Sequence, residues 1–162
     1  MKEIFTDLKR NDQDGIQFLK EIVNLESSTY DKVRVDELVD FLGKRFEEIG
    51  GIVDITPVED FGNHIRVRFP GVGKRPILLL GHTDTVFPTG ETTARPFKIE
   101  GNVARGPGIF DMKSGIAMMW MAMRTLSTIH KLLPNPVTIL LTSDEEIGGR
   151  TSQELIENEA GQ

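Results

Sequence analysis

A chain of 162 residues with a formal net charge of −6 and a pI near 5.1 lacks the clustered Lys and Arg of a nucleic-acid surface and is not drawn to an anionic membrane. With no cysteine, disulfides and thiolate metal sites are excluded, so a metal must be held by His, Asp and Glu, a set suited to zinc, cobalt or manganese. Apolar residues at 38% and charged residues at 27% supply the core of one soluble globular domain, or a piece of a larger one. No stretch approaches the roughly 20 apolar residues of a membrane span, and the amino terminus has no apolar run of signal length. The expected location is cytoplasmic.

In chain order, residues 12–26 read as an amphipathic helix with Ile16, Leu19, Ile22 and Val23 on its buried face. Ser27-Ser28-Thr29 interrupts it. A second helix is predicted from Asp31 to Ile49, with Val35, Leu38, Val39, Leu42 and Phe46 inward, ended by Gly50-Gly51. Strands follow over residues 52–58 and 63–69. The second alternates Ile65, Val67 and Phe69 against His64, Arg66 and Arg68, which makes His64 a surface histidine. The apolar run 77–80 reads as a strand buried on both faces. Residues 86–105 form a loop with a hairpin at Glu100-Gly101-Asn102, a candidate wall of a site. From Met112 the pattern is helical, with Ile116, Met119, Ala122, Met123, Leu126 and Ile129 as its stripe and the methionines filling an uneven core. His130, at the end of this helix, has no expected catalytic role. Residues 136–142 read as another buried strand, and a last helix starts near Thr151, paired with Glu154 as a capping box. Buried strands around a long helix define an α/β layered sheet.

Three segments end in chemistry-bearing residues at one sheet edge. His82 and Asp84 follow the first buried strand, two apart and so on one side of extended backbone. A metal-binding imidazole needs its second N–H held, commonly by a carboxylate. Asp111 precedes a helix, and Asp144-Glu145-Glu146 follow the second buried strand. Each has a plain alternative: a loop His-x-Asp, a helix cap, solvated glutamates. Clustered together, such carboxylates repel unless cations lie between them, and the arrangement calls for a metal. A nucleotide loop at Gly106-Pro107-Gly108 is disfavoured because Asp111 would repel a pyrophosphate and Pro107 removes a donor.

The segments Gly81-His82-Thr83-Asp84-Thr85-Val86, Gly106-Pro107-Gly108-Ile109-Phe110-Asp111-Met112-Lys113 and Thr142-Ser143-Asp144-Glu145-Glu146-Ile147-Gly148 together resemble the M20 family of metallopeptidases, which includes carboxypeptidases, dipeptidases, aminoacylases and deacylases. The resemblance runs from about residue 14 onward. It implies a three-layer α/β/α sandwich with a largely buried mixed sheet, and two divalent ions, zinc foremost. It also implies that His82 and Glu146 each ligate one ion, that Asp111 bridges both, that Asp84 orients His82, and that Glu145 is the general base. A cis Asp111–Met112 peptide is implied too. The implied substrate is a small peptide or N-acyl amino acid with a free carboxylate.

Family members carry a further acidic ligand, a distal histidine ligand and a dimerisation or lid domain that these residues do not contain. Residues 1–162 are therefore expected to form the amino-terminal portion of the catalytic domain of a homodimeric parent. Low metal occupancy, no catalysis alone and self-association through exposed sheet surface are expected of them. A non-catalytic fragment or pseudoenzyme serving as a binding or assembly module is the rival reading.

Overall fold

The computed structural model describes residues 2–129 and 132–161, so His130 lies outside the described residues. Helices α1 (Lys2–Arg10), α2 (Asp12–Val23) and α3 (Lys32–Glu47) lead into strands β1 (Ile52–Thr56), β2 (His64–Phe69) and β3 (Ile77–His82). A short helix α4 (Glu91–Ala94), a hairpin of β4 (Lys98–Glu100) and β5 (Val103–Arg105), helix α5 (Ser114–Ile129), strand β6 (Val137–Thr142) and helix α6 (Gln153–Ala160) complete the order. Among the described residues, no helix is long and apolar enough to cross a membrane.

The expected mixed sheet is present, in the order β1-β2-β6-β3. β1 and β6 run antiparallel to β2, whereas β3 runs parallel to β6. The parallel pair requires a crossover, which α5 supplies. One sheet face presents Ile65, Val67, Ile139 and Leu141, all fully buried. Against it pack Val35, Leu38, Leu42 and Phe46 of α3 and Ile116 and Met123 of α5. Asp31 caps α3 by accepting from the Arg34 N–H at 3.2 Å, and Gly50 adopts φ 90° just past its end, as glycine alone does without strain. The other face is crossed by α6, whose Glu159 pairs with Arg66 of β2. Helices on both faces make the layered α/β/α arrangement.

Several expectations need correction. β3 is an edge strand: its only partner among the described residues is β6, and Ile77 and Leu80 are each 46% exposed. An apolar run records that a strand belongs in a sheet, not that both its sides are covered. The inward face of α5 is rotated from the predicted stripe, for Ala117 and Trp120 are buried and Ala122 is exposed. Trp120 stacks on Phe18 of α2 at 4.5 Å between ring centroids and donates its indole N–H to the Arg45 carbonyl at 3.0 Å. The inward face of α2 is likewise turned: Phe18 is buried while Ile16 is partly exposed. Of the methionines, Met123 fills the core but Met118 is exposed. Helices α1 and α4, nine and four residues long, are shorter than the window over which periodicity is read. Tertiary contacts place them: Asp7 accepts from the Thr125 hydroxyl at 3.0 Å, and Glu26 accepts from Gly90 N and Thr92 N at 2.9 and 3.1 Å.

Candidate metal centre

His82 closes β3, where pairing with Thr142 brings the ends of β3 and β6 side by side. Its backbone N–H donates to the Met112 sulfur at 3.2 Å. A Cβ on Gly81 would lie 2.8 Å from Met112 Cε, so this glycine lets the Asp111 turn close onto the strand. In the ring, Nδ1 lies 3.0 Å from the Asp84 carbonyl oxygen and 3.4 Å from its Oδ1. Nε2 lies 2.9 Å from Asp111 Oδ1 and 3.9 Å from Glu145 Oε2. Burial opposes the imidazolium, yet the hydrogen bonds to Asp84 and Asp111 outweigh it and push the His82 pKa up to about 9. A cation at this imidazole would compete with that proton.

Asp84 is fully buried, and its carboxylate has more partners than the sequence indicated. Oδ1 accepts from the Glu145 N–H at 3.3 Å, and Oδ2 accepts from the Glu146 N–H at 3.3 Å and the Thr29 hydroxyl at 2.8 Å. The backbone carbonyl of Asp84, rather than its carboxylate, makes the shorter contact with the ring. One aspartate thus holds the histidine through its main chain and the glutamate turn through its side chain.

Asp111 projects from the turn 109–113, with its carboxylate 68% exposed. The Asp111–Met112 peptide is cis, as the resemblance implies. Gly108 opens the turn at φ 65°, and a Cβ there would meet Thr85 Cγ2 at 2.5 Å. Lys113 closes it from below, buried, with Nζ donating to the Leu25 carbonyl at 2.7 Å. Burial pushes the Lys113 pKa down to about 7.

Glu145 and Glu146 stand on a single helical turn (Glu145–Ile147) after β6. One ligand atom each from His82, Glu145 and Glu146 lie within 4.8 Å of one another. Burial, followed by the neighbouring carboxylates, raises the Glu146 pKa against the opposing pull of His82. Carboxylates gathered this closely favour either protons or a cation between them. The structure therefore brings together all five residues singled out in the sequence: His82, Asp84, Asp111, Glu145 and Glu146. A cleft of about 540 Å³ lined by Arg95, Lys98, Arg105 and Ile109, and by none of the five, opens where the loop and hairpin meet the segment leading to Asp111.

Three residues escaped the sequence reading. Thr29 was only part of a helix break, although a polar Ser-Ser-Thr run that is buried throughout needs partners. Lys113 lay inside a quoted motif without a role. His64 was placed on the surface, yet it is 1% exposed. Its nitrogens meet Ser143 and Thr151, because the segment leading into α6 covers that end of the sheet. Thr151 accordingly does not cap α6; Ser152 holds the cap position, without a side-chain bond.

The peptidase family M20/M25/M40 profile matches residues 78–162, and the chain belongs to this family. It is 32% identical over 147 residues to carboxypeptidase G2 of Pseudomonas sp. (strain RS-16), covering 90% of this chain and 35% of that protein. It is also 32% identical over 139 residues to acetylornithine deacetylase of Photorhabdus laumondii subsp. laumondii, covering 81% of this chain and 36% of that protein. Among solved structures, human carnosine dipeptidase 1 superposes with a TM-score of 0.84 at 17% identity, covering 98% of this chain and 37% of that one. That likeness is one of fold. The chain spans about a third of the length of these curated relatives.

Proposed function

We propose that residues 1–162 form the amino-terminal portion of the catalytic domain of a metal-dependent amide hydrolase. Its substrate is a small peptide or N-acyl amino acid with a free carboxylate. The observation that carries this reading is the convergence of one imidazole and three carboxylates at a single sheet edge, with Asp84 buried beneath them. The relatives' names agree with it, since a carboxypeptidase and a deacetylase share one chemistry, amide hydrolysis.

The donor set fits divalent cations: imidazole nitrogen and carboxylate oxygen are the ligands zinc, cobalt and manganese accept when thiolate is absent. His82, Asp111 and Glu146 would hold two such ions, with Asp111 serving both. When bound, they supply Lewis acidity toward an amide carbonyl and lower the pKa of a water from 15.7 toward ~7. Asp84 keeps the His82 ring oriented and the glutamate turn in place. Glu145, 57% exposed, takes the proton from the attacking water and delivers it to the leaving nitrogen.

The test belongs in the full-length protein that contains this chain, assayed against dipeptides and N-acyl amino acids with the metal varied. Glu145→Gln is expected to lower kcat by about 10²–10⁴-fold with zinc content unchanged. Retained hydrolysis removes Glu145 as the base. A zinc-loaded wild-type protein that cleaves no amide in the panel favours the binding-module reading instead.

A further inference from the structure

The segment carrying Glu145 and Glu146 runs from Ser143 at the end of β6 to Ser152 before α6, and it has two supports. On the side of the metal centre it hangs from Asp84. The second support is His64, the first residue of β2, whose ring nitrogens bond Ser143 and Thr151 rather than any of the five site residues. The Ser143 backbone N–H donates to His64 Nδ1 at 3.2 Å. An accepting Nδ1 places the ring hydrogen on Nε2, so Nε2 donates to Thr151 Oγ1 at 3.0 Å. The Thr151 hydroxyl and backbone N–H in turn donate to Asp144 Oδ2 at 2.8 and 2.5 Å. The Ser143 hydroxyl is already committed to the Gly62 carbonyl. Every donor in this chain has a matched acceptor, and both imidazole nitrogens are used on the two ends of one loop.

We propose that His64 is a positioning residue for the Glu145–Glu146 pair: its imidazole ties the two ends of the loop 143–152 together and thereby sets where the two carboxylates stand relative to His82. The proposal rests on the reading above of that pair as base and metal ligand. A buried imidazole is costly unless both nitrogens are satisfied, and an apolar side chain would fill the same space more cheaply if packing were all that was required. Burial lowers the pKa of His64 against the pull of Asp144, which keeps the ring neutral and Nδ1 an acceptor. Asp84 and His64 then hold the loop at different points, Asp84 at Glu145 and Glu146 and His64 at Ser143 and Thr151. A shift of the His64 support moves both carboxylates together, because they ride on the same turn.

The two bonds can be separated by substitution. His64→Asn retains an acceptor near the Nδ1 position, His64→Gln retains a donor near Nε2, and His64→Leu removes both. In the full-length protein, His64→Leu is expected to lower zinc affinity and kcat by about 10–100-fold, with KM within twofold and the single-bond variants intermediate. In the 162-residue chain, amide exchange at Glu145 and Glu146 is expected to accelerate in the same order. If His64→Leu does not fold, the Asn and Gln variants decide. Variants that fold with wild-type circular dichroism and keep exchange, zinc affinity and kcat within twofold of wild type overturn the proposal, since a residue needed only for packing would leave those quantities alone. The exchange measurement needs no activity. A wild-type protein that hydrolyses no amide therefore sinks the functional reading, while faster exchange at Glu145 and Glu146 in the variants still supports the positioning role.

Discussion

Asp84 illustrates how much one side chain does here and how little of it follows from spacing. Its position two residues after His82 was enough to pair it with the imidazole. That its carboxylate also receives two backbone N–H groups from a turn sixty residues away, and a threonine hydroxyl from between two helices, depends on how β3, β6 and the α2–α3 link are stacked. His64 shows the converse error. Strand alternation placed it opposite Ile65 correctly, but alternation says nothing about what covers the second face. Its burial has a consequence for pH. A histidine whose folded pKa is lowered binds fewer protons than the unfolded chain below about 6.5, so stability rises with pH through that window and is lost as pH falls below it. His82, whose pKa is raised, acts in the opposite sense over this window, so the difference is the test: between pH 6.5 and pH 5 the urea midpoint of the wild-type chain is expected to fall relative to that of His64→Asn. An unchanged difference would mean that the protonated ring finds equal partners in the fold. The contribution of Asp144, where burial is outweighed only by the hydrogen bonds from Thr151 and its neighbours acting together, so that its pKa lies below the ordinary 3.8, is lost only at still lower pH.

The elements divide by how local their signals are. α3 was legible to within two residues at its end, since its apolar spacing and its glycine stop are written within a short window. α5 was legible as a helix but not in its rotation. Trp120 turns inward because Phe18 and the Arg45 carbonyl await it, and both belong to other helices. The turn 109–113 is set by close approaches that sequence patterns do not register. Gly108 combines a left-handed backbone with a site where a Cβ would sit 2.5 Å from Thr85. Gly108→Ala should therefore cost at least the roughly 1–2 kcal/mol of a left-handed non-glycine residue and lower the Tm by several degrees. A Tm equal to wild type would show that the Asp111 turn has room to move.

At the scale of the molecule, both edge strands of the sheet expose apolar side chains, Ile52 and Ile55 on β1 and Ile77 and Leu80 on β3. On the β1 side Arg66 and Arg68 of β2 pair with Asp54 at 3.2 and 2.7 Å, and such charge disfavours a further strand. β3 carries no acidic, Lys or Arg residue from Ile77 to His82. The chain is expected to self-associate through this edge, with sedimentation shifting toward monomer in Leu80→Lys. A wild-type chain that remains monomeric across a wide concentration range would rule that edge out.

The sequence by itself determined the class of fold and singled out five residues that the structure brings together at one sheet edge. Apolar periodicity marks strands and helices locally, and the residue types able to hold a divalent cation without cysteine are few. Only the tertiary structure decided that β3 lies at an edge, that Trp120 rather than Ala122 faces inward, and that Thr29, Lys113 and His64 are buried. Burial and hydrogen-bond partnership are set by elements far apart in the chain, and no local window contains both members of such a pair.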